Sequence, residues 1–360
     1  MAVDGRKSAA RGNFGACRAQ NELCFIRNGL TVKSLHGIGF AIFALSSSAS
    51  FFLCGCSKPA SQSGAASFKV ALLTTGPIND GGWNQSAYEG LQKIKQDLGA
   101  QVSNEVTDNP SEFESAFQDY ASKGYNVIFA HGDEYGDTAA KMAPQFPNTV
   151  FITTGGTQSA KNLAPIIFAT EDGTYIQGME AGFISKTGKG GFVGGQSLPP
   201  VTRAADAFQN GALAANPHFD FKITYINSWD DVQKAKGQTD ELISNGADVI
   251  AHNCDAAAKG LFESTAAKPG VYAFGVNSNQ NDESPNIISS AFLDIPKAFD
   301  DVAKSVKDGD FKGQTLNLGM KDSDVTVIDN PKFASLYTPD QSAKIKQAEA
   351  DIISGKLKPL

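Results

Sequence analysis

Beyond residue 56 the sequence holds a single cysteine, Cys254, so no disulfide closes within that stretch. No Cys/His spacing there suits structural zinc. Phosphate-binding glycine motifs are missing as well. No GxxxxGK[ST] run occurs, Thr187-Gly188-Lys189-Gly190 lacks the spacing, and the first strand carries no GxGxxG. Gly195-Gln196-Ser197-Leu198-Pro199 comes near a nucleophile elbow, but proline stands where the last glycine must let strand and helix approach. Histidine is scarce: only His131, His218 and His252 lie past the front end, and no carboxylates join them at ligand spacing. The chain therefore points to no metal, no cofactor and no enzyme. A net charge of -7 offers nothing to nucleic acid.

What is present begins with an address. Residues 1–55 carry six basic side chains (Arg6, Lys7, Arg11, Arg18, Arg27, Lys33) against Asp4 and Glu22, ahead of an acidic body. Lys33 precedes the apolar run Gly37–Leu45, which continues through Ser/Ala to Phe51-Phe52-Leu53 and is short for a permanent span. Four cysteines (Cys17, Cys24, Cys54, Cys56) fall within the first 56 residues. Leu53-Cys54-Gly55-Cys56 resembles a bacterial lipoprotein signal, with Leu at −3, a small residue at −1 and the acylated cysteine at +1. That resemblance implies removal of residues 1–55 and a lipid on Cys56. The protein would then be exported and anchored to the membrane, facing the periplasm or the cell exterior. An ordinary secretory signal or an uncleaved anchor is the alternative. Residues 56–67, small and polar, read as a flexible tether.

The body alternates. Lys69–Thr75 is a short apolar strand stopped by Gly76-Pro77, and a helical stripe follows at Ala87, Leu91, Ile94 and Leu98, closed by Gly99. Further strands are expected at 127–130, 149–153, 166–169, 191–194, 222–226, 249–252, 271–276 and 287–292. Helical stretches separate most of them, which predicts an α/β fold of mainly parallel sheets with helices on both faces. An internal repeat divides it: Ser122–Ile128 is echoed by Ser244–Ile250 at an offset of 122 that also carries Asp133 onto Asp255. Two doubly wound lobes follow, lobe I from 68–171 plus 290–322 and lobe II from 172–289 plus 323–360. Their strand ends face one ligand cleft, and crossing segments at 166–172 and 287–294 serve as hinges.

Only two tryptophans occur, each just after a strand and one per lobe: Trp83 and Trp229. Two aromatic faces can hold a flat ring between them; the alternative is that each packs a loop on its own lobe. Asn84 offers a donor and an acceptor to a ring edge. Asp133, Glu134 and Asp255 follow strands, where ligand N–H groups or helix capping would both use a carboxylate. Asp80, before two glycines, suits a tight turn close to the ligand.

Asp80-Gly81-Gly82-Trp83-Asn84-Gln85-Ser86-Ala87-Tyr88-Glu89-Gly90 looks like the D-x-S-F-N-Q-x-A-x-E-G motif of the basic membrane lipoproteins, the purine nucleoside receptor group of ABC binding proteins. Lys189–Gly195, Gly246-Ala247-Asp248-Val249-Ile250 and Gly275-Val276-Asn277-Ser278-Asn279-Gln280 resemble further segments of that family. The resemblance implies a type I periplasmic-binding fold and an ABC permease with its ATPase as partners. It also implies a purine in the cleft, with Trp83 as the stacking residue and Asn84 as the base reader. Family members that hold ribose place Asp where Asn277 stands and Lys where Leu293 aligns. The departures favour a free purine base or similar heterocycle over an intact nucleoside. A nucleoside-cleaving hydrolase, using Asp133, Glu134 or Asp255, and a ligand-sensing receptor are the alternatives on the same cleft.

Overall fold

A computed structural model of the chain describes residues 67–360; the expected signal, Cys56 and nearly all of the tether lie outside them. In chain order the first lobe contributes β1 (Lys69–Thr74), α1 (Trp83–Leu98), β2 (Gln101–Val106), α2 (Pro110–Ser122), β3 (Val127–His131), α3 (Gly136–Met142), β4 (Val150–Thr154) and β5 (Leu163–Phe168). The second follows with α4 (Thr170–Ile184), β6 (Lys189–Gly194), α5 (Pro199–Ala215), β7 (Asp220–Tyr225), α6 (Val232–Ser244), β8 (Val249–Asn253), α7 (Ala258–Ala266), β9 (Tyr272–Asn277) and β10 (Ile287–Leu293). The chain then returns through α8 (Ile295–Asp308) and β11 (Leu316–Leu318) to the first lobe. It finishes in the second with β12 (Val325–Asp329) and α9 (Pro339–Ile353).

Each lobe is a six-stranded sheet, ordered β11-β5-β4-β3-β1-β2 and β12-β10-β9-β8-β6-β7. The first is wholly parallel, and the second is parallel apart from β12, which runs against β10. The same winding occurs twice, as the repeat predicts. Strand alternation distributes the core. Val70 and Leu72 of β1 meet Leu91, Ile94 and Phe299 of α1 and α8, while Ala71 and Leu73 meet Phe113 and Phe117 of α2 on the other face. Complete burial of such side chains is worth about 1.5–3 kcal/mol each.

Local chemistry fixes the ends. Gly99 and Gly309 close α1 and α8 in the left-handed conformation, and Thr338 with Gln341 forms a capping box on α9. The chain crosses between lobes at Ala169, at Asp294 and between Leu318 and Val325. Ala169 N bonds Leu318 O, and Asp294 N bonds Asp324 O, both at 2.8 Å, so the three crossings run side by side. The boundary expected at residue 290 falls inside β10, which stays in the second sheet as far as Leu293.

Candidate functional site

The carboxyl ends of both sheets open on one cleft of about 520 Å3, lined from each lobe. Trp83 enters it as the first residue of α1. Its indole stacks on His131, with centroids 3.9 Å apart and planes 25° from parallel. One ring face is therefore occupied, and the opposite face is left for the cleft. His131 Nε2 lies 3.1 Å from the Trp83 carbonyl, which can only accept, so this nitrogen carries the hydrogen. Nδ1 is then the acceptor for Thr154 Oγ1 at 3.0 Å. Burial holds the His131 pKa down to about 3, which keeps the ring neutral.

Trp229 reaches the same cleft from the loop after β7. Its ring lies over Gly195, where a Cβ would sit 2.1 Å from Cε3. Only a glycine leaves room for that contact. Trp229 is thus held close along that edge, and its carbonyl accepts from Ala257 N at 3.0 Å, tying it to the turn after β8.

The repeat-related aspartates open matching 3-10 turns, Asp133–Tyr135 and Asp255–Ala257. Asp133 Oδ1 accepts from Gly156 N, in the loop after β4, at 2.6 Å. Asp255 sits in the left-handed region at φ 46°, and among the described residues its carboxylate has one long donor, Asn277 Nδ2 at 3.4 Å. Asn277 is itself left-handed at φ 68°. Burial raises the Asp255 pKa well above the usual carboxylate range, and the Asp80 and Glu134 carboxylates push it further. Burial, with Asp133 beside it, raises Glu134 as well.

Six of the eight expected residues line the cleft: Trp83, Asp133, Glu134, Trp229, Asp255 and Asn277. Asp80 and Asn84 do not. The Asp80 carboxylate accepts from Gly82 N (3.0 Å), Asn84 N (2.8 Å), Gln85 N (3.0 Å) and Asn84 Nδ2 (2.9 Å), so it is the N-terminal anchor of α1. Asn84 is held by that carboxylate, and its buried Oδ1 has no partner among the described residues. Leu293 is fully buried in the first lobe's core.

Arg203 and Glu171, which carry no motif in the sequence, pair with each other at the cleft from α5 and α4. Arg203 is the single arginine after residue 27, a signal that composition alone could have raised. Among the described residues lining the cleft it is the one cation, set against Asp133, Glu134, Asp137, Glu171 and Asp255.

The family described as ABC transporter substrate-binding protein PnrA-like (Bmp) matches residues 67–357. A purine-binding protein of Brucella abortus is 30% identical over 296 residues, which cover 81% of this chain and 82% of that one. An ABC transporter nucleoside-binding protein of Lactococcus lactis is 26% identical over 318 residues, covering 80% and 88%. Among solved structures, an ABC transporter solute-binding protein from Aeropyrum pernix superposes with a TM-score of 0.75 at 21% identity, over 81% of this chain and 92% of that one. That likeness establishes the periplasmic-binding-protein fold.

Proposed function

The chain belongs to the PnrA-like family of ABC transporter substrate-binding proteins, and from that premise we propose that it captures a purine base or related planar, unphosphorylated heterocycle for import. The observation that carries this reading is the pair of tryptophans. Trp83 and Trp229 come from different lobes into one cleft, Trp83 with one ring face stacked on His131 and Trp229 with a ring edge against Gly195. A flat ligand seated between the lobes would lie against both rings, and stacking adds about 0.5–1.5 kcal/mol per pair beyond buried area.

The acidic lining supports a ligand rich in N–H donors. Arg203 is already neutralised by Glu171, so among the described residues lining the cleft no free cation awaits a phosphate. The Asn277 amide is turned to Asp255 and Leu293 lies in the core, which favours a base over a ribosylated ligand. The names of the Brucella and Lactococcus relatives support the purine class. An intact purine nucleoside is the second reading, favoured by a cleft of about 520 Å3, within the range that holds drug-sized ligands.

The deciding experiment is tryptophan fluorescence of residues 57–360, titrated with adenine, guanine, hypoxanthine, adenosine, inosine and ribose. Saturable quenching by a base, lost in Trp83→Ala, is the expected result. Tighter binding of nucleosides selects the second reading, and silence toward every compound, checked by calorimetry, removes the purine class. Nucleosides incubated with the protein should release no free base; release would make it a hydrolase. The anchor is tested separately: the full chain should partition into detergent, and Cys56→Ser should abolish that.

A further inference from the structure

Gly81 lies in the loop that delivers Trp83, and its carbonyl oxygen is met from the other lobe by two donors. Ser278 Oγ donates to it at 2.9 Å, and Gln280 Nε2 reaches it at 3.5 Å. Both follow β9, so residues of the second lobe grip a loop of the first. Gly81 is held at φ 79°, and a Cβ there would meet nothing within 4 Å. Glycine is thus required by the backbone angle that aims the carbonyl, and not by lack of space.

The orientation of Gln280 is over-determined. Val276 N, necessarily a donor, binds its Oε1 at 2.9 Å, and His252 Nε2 binds the same oxygen at 3.1 Å. The backbone donor fixes which amide atom is oxygen, so His252 Nε2 must carry its hydrogen. With Oε1 doubly engaged, the amide nitrogen points outward to Gly81. Gln280 N also donates to Ser290 Oγ at 3.0 Å, and that hydroxyl donates to Asn281 Oδ1 at 2.8 Å. A buried polar network of the second lobe therefore aims one N–H at the ligand loop of the first. On the receiving side, Asp80 binds the amides of Gly82, Asn84 and Gln85, so a pull on Gly81 is transmitted to Trp83.

We propose that Ser278 and Gln280 are positioning residues: their clasp on the Gly81 carbonyl fixes the Trp83 loop against the second lobe before any ligand arrives. The clasp stands on geometry alone, and only its binding arm rests on the purine reading. The test is amide hydrogen exchange of the ligand-free protein in Ser278→Ala, Gln280→Ala and the double variant. One hydrogen bond is worth roughly 2–12-fold in an opening equilibrium. The amides of Gly82, Asn84 and Gln85 should exchange about tenfold faster in the double variant, with β3 and β8 unchanged and a larger radius of gyration in solution scattering. Ser278→Thr, which keeps the hydroxyl, should restore protection. Wild-type exchange of the loop in the double variant overturns the proposal, as does Ser278→Thr behaving like Ser278→Ala. Should Gln280→Ala loosen β8 itself, Ser278→Ala, at a half-exposed position, decides alone. In the binding arm, with hypoxanthine as probe, the expected change is faster dissociation in stopped-flow fluorescence. If hypoxanthine fails to bind even the unaltered protein, the purine reading falls while exchange still judges the clasp.

Discussion

Trp83 shows how one residue's neighbours decide its use. Its ring rests on a histidine kept neutral by burial, its carbonyl takes that histidine's hydrogen, and Asp80 fixes the three amides around it. A ring so restrained loses little freedom when a ligand stacks on it. Trp83→Ala is accordingly expected to weaken base binding by about 30-fold, the scale of a hot-spot aromatic near 2 kcal/mol, and Trp83→Phe to retain most of it. Gly195→Ala tests the opposite wall. Its methyl would overlap the Cε3–Cζ3 edge of the Trp229 ring, so the indole must swing away. Calorimetric affinity should drop while the melting temperature falls by only a few degrees, since overpacking costs about 1–3 kcal/mol.

At the scale of elements, α4 and α5 carry Glu171 and Arg203 to the cleft, and they do so by lying backbone against backbone. A Cβ on Gly178 would stand 2.0 Å from Phe208 O, and one on Gly211 would stand 1.9 Å from Tyr175 O. Neither glycine has an unusual φ, so the requirement is close approach. Gly211→Ala should separate the helices and cost about 3 kcal/mol, read by thermal denaturation, and should displace Arg203 from Glu171. The edge strand β2 makes the opposite point. Its sequence QVSNEV is mostly exposed, lacks an apolar run, and forms a strand because β1 offers it a partner along its full length.

Across the whole molecule, buried titratable groups set the pH range of stability. Glu180 of α4 is buried away from the cleft, accepts from Ser289 Oγ at 2.5 Å, and is pushed up to about 8 by burial, with Asp329 and Glu349 adding to the rise. The folded form thus holds a proton that the unfolded chain releases above the ordinary carboxylate pKa of about 4.5. This contribution is complete below that value and is lost as pH rises toward 8. His131 and His252, held down to about 3 and about 4 by burial, act in the other direction. Their contribution is complete above the ordinary imidazole pKa of about 6.5 and fades as pH falls below it. Melting temperatures measured from pH 4 to 9 should therefore decline at both ends. Glu180→Gln should flatten the decline between about pH 4.5 and 8 and leave the profile below pH 4.5 as it was.

How much of this was legible in the sequence depended on the range of the interaction. Strand and helix periods, the repeat linking Asp133 to Asp255, and a tryptophan after a strand in each lobe are local patterns. They sufficed for two doubly wound lobes around one cleft, because side-chain direction follows directly from the 2.0 and 3.6 residue periods. Aspartates after strands were legible as residues but not as roles. Asp80 went to its own helix terminus, while Asp133 went to Gly156 and Asp255 remained nearly undonated, and only the neighbouring loops decide which donors arrive. Arg203 was visible as a solitary arginine, yet its place at the cleft depends on two glycines letting α5 press on α4. The polar strand β2 and the third crossing before β12 needed partners far along the chain, and no local period announces a partner. The Gly81 clasp joins residues 197 positions apart. Sequence alone determined the periodic elements and their faces; the tertiary structure decided which segments without a period become strands, and which polar groups are spent on the fold and which are left for a ligand.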